Sequence, residues 1–339
     1  MTDQPRYRVT LGLEEEVFVL EDGRLTPTLQ SLDYLRRLYW KNPKRYSRHT
    51  ASNFAKGKDR QECFMGSIEM ATSIHETPDS LIEDLVLRRT EFARATRGGV
   101  VVPVGSLFTL NSPSNTASSH IHVGVPKSER NRVYDNLAYF APVLAVASAS
   151  SPWLAGKPFG TSARMAQKGL LGPLQIDKEY RFQDLIISKR LGTIELRVLD
   201  PIAEIWRLRE VLSATIAIAK HDGNFLFDRD EYNEARAAWA LEGLNDFVRK
   251  RWEELQPIYP LSLDLLRETF SQHLDFVAQK GGVDAAYREA DRVWREPTGV
   301  ELVAKKHNKL RAVTGLAGFY AIRLPYIAYK GYKEWYGKT

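Results

Sequence analysis

Residues 9–20 read VTLGLEEEVFVL. Val9, Leu11, Leu13, Val17 and Val19 alternate with Glu14, Glu16 and Phe18. Successive strand side chains point to opposite faces of a sheet. The stretch is therefore read as a strand with one apolar face and one acidic face, with Glu15 turned toward the apolar side. Three further stretches repeat the design. In Glu62–Thr72, Ile68 and Met70 alternate against Glu69. In Ser119–Val125, Ile121, Val123 and Val125 alternate against His120 and His122. In Thr193–Leu199, Ile194, Leu196 and Val198 alternate against Thr193, Glu195 and Arg197. If the four strands share a sheet, one face packs a core. The other gathers carboxylates, two imidazoles and a guanidinium. Such a crowd of acids repels itself unless divalent cations sit among them, so the polar face is expected to be an active site.

Taken singly, each residue also has a plainer reading. Glu14–Glu16 could be a solvated edge, although the apolar alternation on both sides argues against that. Glu69 alone could be an exposed strand residue. Glu62 lies seven residues earlier, beyond simple strand parity, and could be surface. His120 and His122 could be two histidines on an edge strand. Glu195 and Arg197 could be an ordinary salt bridge within a sheet. The joint pattern is what favours chemistry.

The 339 residues suffice for a large core, as two domains or as one large α+β domain. The 43% apolar share is that of an ordinary globular protein. The single cysteine, Cys63, excludes an intramolecular disulfide framework and fits a reducing cytoplasm. Met1–Arg6 is polar and has no apolar signal core. The longest apolar run, around Tyr139–Leu154, contains Pro142 and serines and is too short to span a bilayer, so a buried helix is expected. The net charge is +6, yet Lys305–Thr339 alone carries eight Lys/Arg and one acid, which leaves the rest near −1. A general nucleic-acid-binding surface on the body is therefore not supported.

The first ~200 residues mix strands and helices, and the rest reads as helical. Thr77-Pro78 opens a helix carrying the row Leu81, Ile82, Leu85 and Val86. Val100–Val104 reads as a short strand, and Ser128–Ser148 as a helix kinked at Pro142. Arg181–Ser188 and Thr193–Leu199 read as a hairpin around Arg190–Gly192. Further helices are expected from Asp200-Pro201 to near Gly223, and over Glu231–Glu254, Leu263–Gln279 and Asp284–Trp294. Walker A, GxGxxG, CxxC, HExxH and GxSxG patterns are all absent, so any nucleotide would sit on a different scaffold.

Five motifs occur in order: GLEEE at Gly12–Glu16, GSIEMATSIHETP at Gly66–Pro78, HIHVGVP at His120–Pro126, SPWLAGKPFGTSAR at Ser151–Arg164 and TIELRVLD at Thr193–Asp200. Together they resemble the carboxylate–amine ligases of the glutamate–cysteine ligase type 2 family. NEARAAWALEG at Asn233–Gly243 is similar to that family's helical segment. The resemblance implies a glutamine synthetase-like α+β fold. In such a fold a curved, mostly antiparallel sheet is flanked by helices, and its concave face holds ATP, Mg²⁺ or Mn²⁺ and an amino-acid substrate.

By position, the resemblance makes Glu14, Glu16, Glu69, His120 and Glu195 metal ligands. It places His122 near substrate or nucleotide, Glu62 at the substrate, and Arg197 against the transferred phosphate. Arg164 becomes a clamp for phosphate or substrate carboxylate. The activity implied is amide formation through an acyl phosphate, from glutamate and cysteine or another amine, in a cytoplasmic homodimer. The alternative is a phosphotransferase acting on a carboxyl or guanidino group without amide formation. Two departures stand out. Trp239 occupies a position where a basic residue is expected, and the C-terminal tail has no family counterpart. The expected division is a catalytic domain over 1–305 and a basic, aromatic tail over 306–339. The tail could contact a membrane surface or another anionic partner. A helix packed on the body or on a second subunit is the preferred reading, because Pro325 should interrupt a long amphipathic helix.

Overall fold

The computed structural model of the chain describes residues 7–21, 24–25, 28–43, 45–46, 50–52, 67–96, 98–111, 115–166, 171–303 and 308–336. Glu62 lies outside them. In chain order the chain forms β1 (Thr10–Glu21), β2 (Arg24–Leu25), α1 (Thr28–Lys41), β3 (Thr50–Ser52) and β4 (Ile68–Ala71). Then come α2 (Pro78–Thr96), β5 (Val100–Val102), β6 (Ser119–Gly124), α3 (Arg130–Ser148), β7 (Trp153–Leu154), β8 (Lys157–Pro158) and α4 (Ala163–Ala166). After β9 (Leu185–Ile187) and β10 (Ile194–Leu196) the described chain is helical: α5 (Ile205–Lys220), α6 (Arg229–Glu242), α7 (Asp246–Leu255), α8 (Asp264–Arg267), α9 (Phe270–Gly281), α10 (Val283–Arg295) and α11 (Lys309–Tyr336).

The four alternating stretches do share one sheet. Its order is β3-β4-β1-β6-β10-β9, and every described pairing in it is antiparallel. The long strand β1 is central. Residues 14–17 pair with β4 and 10–15 with β6, and beyond residue 17 the strand pairs with β5 and β2. The apolar rows of β1, β6 and β10 pack on α3 and α5, which supply much of one large core. A second core, built from Val17, Val19, Ile68, Met70 and the β5 valines, packs against α1, α2, α9 and α10. The expected hairpin is present, with Ile194 opposite Ile187 and Leu196 opposite Leu185.

The helical expectations differ from the structure in three places, each for a local reason. The helix expected from Asp200-Pro201 begins at Ile205, because the carbonyls of Ile202 and Ala203 accept hydrogen bonds from Arg89 at 2.7 and 2.8 Å. Glu231–Glu254 is two helices. Gly243 sits at φ 76° and Asn245 caps the second, accepting from the Val248 amide. Leu263–Gln279 is also two helices, the longer one opened by a capping box between Thr269 and Gln272.

The tail corrects one expectation. The helix α11 runs through Pro325 instead of stopping there. Proline removes one amide donor and crowds the preceding turn, which a helix docked on another element can absorb. α11 lies along α1: Phe319 stacks on Tyr39 at 4.7 Å, and Trp40 Nε1 donates to the Gly315 carbonyl at 3.1 Å. Leu316 and Phe319 are buried on the body, as the packed reading expects, whereas Leu324, Tyr326, Tyr329 and Tyr332 are exposed. Among the described residues no helix is long and apolar enough to cross a membrane. Phe319 is buried at this contact. Phe319→Ala is expected to cost about 3 kcal/mol in urea denaturation; a loss under about 1 kcal/mol would mean that α11 is undocked in solution.

Candidate active site

Antiparallel register fixes which side chains meet. Glu14 of β1 lies opposite His120 of β6, and Glu195 of β10 lies opposite His122. On the other side of β1, Glu16 lies opposite Glu69. Directly opposed residues share a face, so Glu14, Glu16, Glu69, His120, His122 and Glu195 all belong to the polar face.

At its centre His120 Nδ1 is 3.3 Å from Glu14 Oε2 and 3.7 Å from Glu195 Oε1. One ligand atom from each of Glu14, His120 and Glu195 lies within 4.8 Å of the other two. Two carboxylate oxygens and an imidazole nitrogen, converging from three neighbouring strands, form a donor set that could hold a divalent cation. Arg197 adjoins the cluster, its guanidinium hydrogen-bonded to Glu195. His122 Nε2 is 3.4 Å from Glu14 Oε1, and its Nδ1 meets the Thr193 hydroxyl at 3.1 Å. Burial would raise the Glu14 pKa, but the two imidazoles hold it far below the usual carboxylate range. Burial would lower the His122 pKa, but the Glu14 contact and the Glu195 charge raise it, with Arg197 opposing.

Glu16 stands one step away from this centre. It accepts a hydrogen bond from Ser118 Oγ at 2.7 Å, and the same oxygen is 2.7 Å from His120 Nε2. Glu69, opposite Glu16, is half-buried.

Arg164 is placed differently from a free clamp. Its guanidinium is buried, with Nη1 donating to the Val198 carbonyl at 2.7 Å and Nη2 to the Arg197 carbonyl at 2.9 Å. Nε donates to Thr116 Oγ1, and Nη1 lies 3.5 Å from Asp200 Oδ1. It holds the chain just after β10, the segment that aims Arg197. Trp239, where a basic residue was expected, is fully buried in the larger core.

Sequence reading missed the buried polar frame behind the site. Asp200 Oδ2 accepts from the Ser150 amide and from the hydroxyls of Ser151 and Ser162, all within 2.9 Å. This joins the serine-rich motif to the end of TIELRVLD. Gly105 is required there, since a Cβ on it would fall 2.1 Å from Asp200 Oδ1. Asp184 accepts two bonds from Arg236 and one from Tyr232, while its carbonyl accepts from the amides of Arg197 and Val198. Arg236 lies within NEARAAWALEG, so that motif braces the end of β10 from behind. The available signal was an arginine in a helix that buries its apolar face.

Comparisons with known proteins show what the chain is similar to. The profile described as glutamate-cysteine ligase family 2 matches residues 109–166, which contain His120, His122 and Arg164. A curated protein of a Nocardioides species, named as a candidate glutamate–cysteine ligase 2-1, is 26% identical over 184 residues, 46% of this chain and 47% of its own. The match thus spans about half the length of that relative. Among solved structures, the glutamate–cysteine ligase of Francisella tularensis in complex with AMP superposes with a TM-score of 0.58 at 12% identity, covering 96% of each chain. A bifunctional glutathione synthetase of Pasteurella multocida gives 0.56 at 11% identity, over 86% of this chain and 52% of its own. At these identities the likeness is one of fold.

Proposed function

We propose that this chain is an ATP-dependent carbon–nitrogen ligase of the glutamate–cysteine ligase type. It would join the γ-carboxylate of glutamate to cysteine or another amine through an acyl phosphate. The observation that carries the reading is the convergence of Glu14, His120 and Glu195 beside Arg197 on the polar face of an antiparallel sheet. The family profile and the fold of the two solved ligases support it.

Glu14, His120 and Glu195 are the residues that would hold a divalent cation. Glu16 and Glu69 lie on the same face, within reach of a second one. Bound Mg²⁺ or Mn²⁺ would neutralise phosphate charge and align the reacting groups. The substrate carboxylate attacks the γ-phosphorus and ADP leaves. The amine then attacks the acyl carbon and phosphate leaves. Arg197 would offset charge spreading onto the transferring phosphoryl oxygens. His122 lies beside the cluster, where it can contact substrate or nucleotide. Arg164 acts in this reading through the chain segment that carries Arg197. Residues 1–305 form the catalytic part. The chain works as a homodimer, and the basic segment over 306–339 is its surface for any anionic contact.

The test is phosphate release from Mg-ATP and glutamate, with and without a panel of amines led by cysteine. Amine-dependent release with an amide in the mass spectrum is the expected result. A stable phosphorylated product without amide would make the protein a phosphotransferase. No release with any pair would overturn the reading.

A further inference from the structure

The helix α11 packs on the body along one side only. Ala312, Leu316 and Phe319, spaced i, i+4, i+7, form its buried row. Arg323 continues that row, its guanidinium 4.3 Å from the Phe319 ring. The sides of the helix away from the body are apolar as well. Leu310, Val313, Ile322, Leu324, Tyr326 and Tyr329 are 44% to 75% exposed. Apolar side chains scattered singly over a surface need no explanation. These are concentrated. Among the described residues, eight of the 21 exposed large apolar or aromatic side chains lie on this one helix. At 1.5 Å per residue its 28 residues span about 42 Å. An exposed apolar surface of that extent marks a contact site. Pro325 does not divide it, because the helix continues on both sides of the proline.

Charge selects the partner. From Lys309 to Lys333 the sequence holds five Lys or Arg and no Asp or Glu. A second copy offering the same face would bring like charges together, which is costly at an interface. A nucleic acid would answer the charge but not so long an apolar surface. An anionic bilayer answers both. Its head groups meet the cations, its acyl boundary takes leucine and isoleucine, and tyrosine rings favour the level between them. We propose that α11 lies in the surface of an anionic membrane, with its buried row gripping the body and its outer face gripping the lipid. Arg311 and Arg323 hold the helix at the interface, since a charge in the hydrocarbon core is expensive. The proposal goes beyond the reaction proposed above by naming the anionic partner of the basic segment. It stands apart from the ligase reading, because membrane contact requires neither ATP nor an amine.

Cosedimentation of the full chain with lipid vesicles tests it. Wild type should pellet with phosphatidylcholine vesicles that contain phosphatidylglycerol, and less so as salt rises. Vesicles of phosphatidylcholine alone should bind it at least about tenfold more weakly. Arg311→Gln with Lys333→Gln removes two cations and should lower partitioning onto the anionic vesicles about 25-fold, roughly fivefold for each charge. Leu324→Ser with Tyr329→Ser should lower it about tenfold or more at low and high salt alike, because apolar contact is not screened. Both double variants should keep the wild-type circular dichroism spectrum and melting temperature. Wild type left in the supernatant with anionic vesicles overturns the proposal. So does equal binding to neutral vesicles, unchanged binding of both double variants, or an oligonucleotide that holds the protein as tightly as the anionic vesicles do. A dimer in sedimentation equilibrium that dissociates in the Leu324→Ser, Tyr329→Ser variant also overturns it, by assigning the face to a second copy. Failure here leaves phosphate release from ATP untouched, so it is distinguishable from failure of the ligase reading.

Discussion

Arg89→Ala should cost about 3–5 kcal/mol of folding stability, the typical penalty for breaking a buried ion pair. Arg89 and Glu15 are both essentially inaccessible to solvent. Arg89 Nε lies 3.2 Å from each Glu15 oxygen, and its two terminal nitrogens also bond the carbonyls of Ile202 and Ala203. The Trp294 indole completes the group, donating to Glu15 at 3.2 Å with its ring 5.4 Å from the guanidinium. Glu15 sits on β1 between Leu13, in the first core, and Val17, in the second. One guanidinium thus ties the central strand, α2, the entry to α5 and α10 together. Truncation leaves a carboxylate in the interior with only an indole to answer it, and two backbone carbonyls without donors. The loss is a large part of the ~5–15 kcal/mol that holds an ordinary domain together. Urea denaturation followed by circular dichroism would measure it. Replacing both partners with leucine should recover part of the loss, since the stranded charge is gone while the carbonyls remain unsatisfied. A single variant as stable as wild type would show that the pair contributes nothing.

That ion pair also shows how far a sequence can be read. Strand parity put Glu14 and Glu16 on one face and Glu15 on the other, and the structure has them so. Parity alone cannot say what neutralises Glu15. The clue lay in α2, where Arg89 occupies the helical row of Leu81, Leu85 and Phe92, four residues beyond Leu85. An arginine in an apolar row needs a buried acid, but which acid depends on how helix and strand cross. The polar face was legible for the same reason that the sheet was: period two is a local property. The link from Ser118 to His120 was not legible, because it depends on the residue before a strand curling back against its own second residue. Neither was the Asp184–Arg236 brace, whose partners are 52 residues apart. Helix ends were missed where a side chain from elsewhere takes the carbonyls, as at residues 202–203, and α11 runs on through Pro325 despite the local penalty of a proline.

Glu195→Gln should lower amine-dependent turnover by about 10³-fold while leaving the fold intact. The variant keeps the shape of the side chain and removes its charge. It also turns one acceptor oxygen into a donor amide, facing a guanidinium and an imidazole that themselves donate. At the proposed site this removes an anionic ligand where several kcal/mol of phosphate charge must be balanced, and each 1.4 kcal/mol is about tenfold in rate. Stability should respond far less. The Glu195–Arg197 contact is lost, but Arg197 retains access to solvent, with 14% of its side chain exposed. The repulsion between Glu195 and Glu14, which face the same histidine nitrogen, is relieved at the same time. The two changes oppose, and a net shift within about 1 kcal/mol is expected. Arg197→Lys should give the complementary result: Mn²⁺ should still bind, because the three proposed ligands are untouched, while turnover should fall, because a single ammonium cannot reproduce the fork that in the proposed reaction meets Glu195 and a phosphoryl oxygen together. Turnover and Mn²⁺ affinity measured on both variants separate the two roles. Full turnover in Glu195→Gln would remove Glu195 from the chemistry and, with it, the reason for placing the reaction on this face of the sheet.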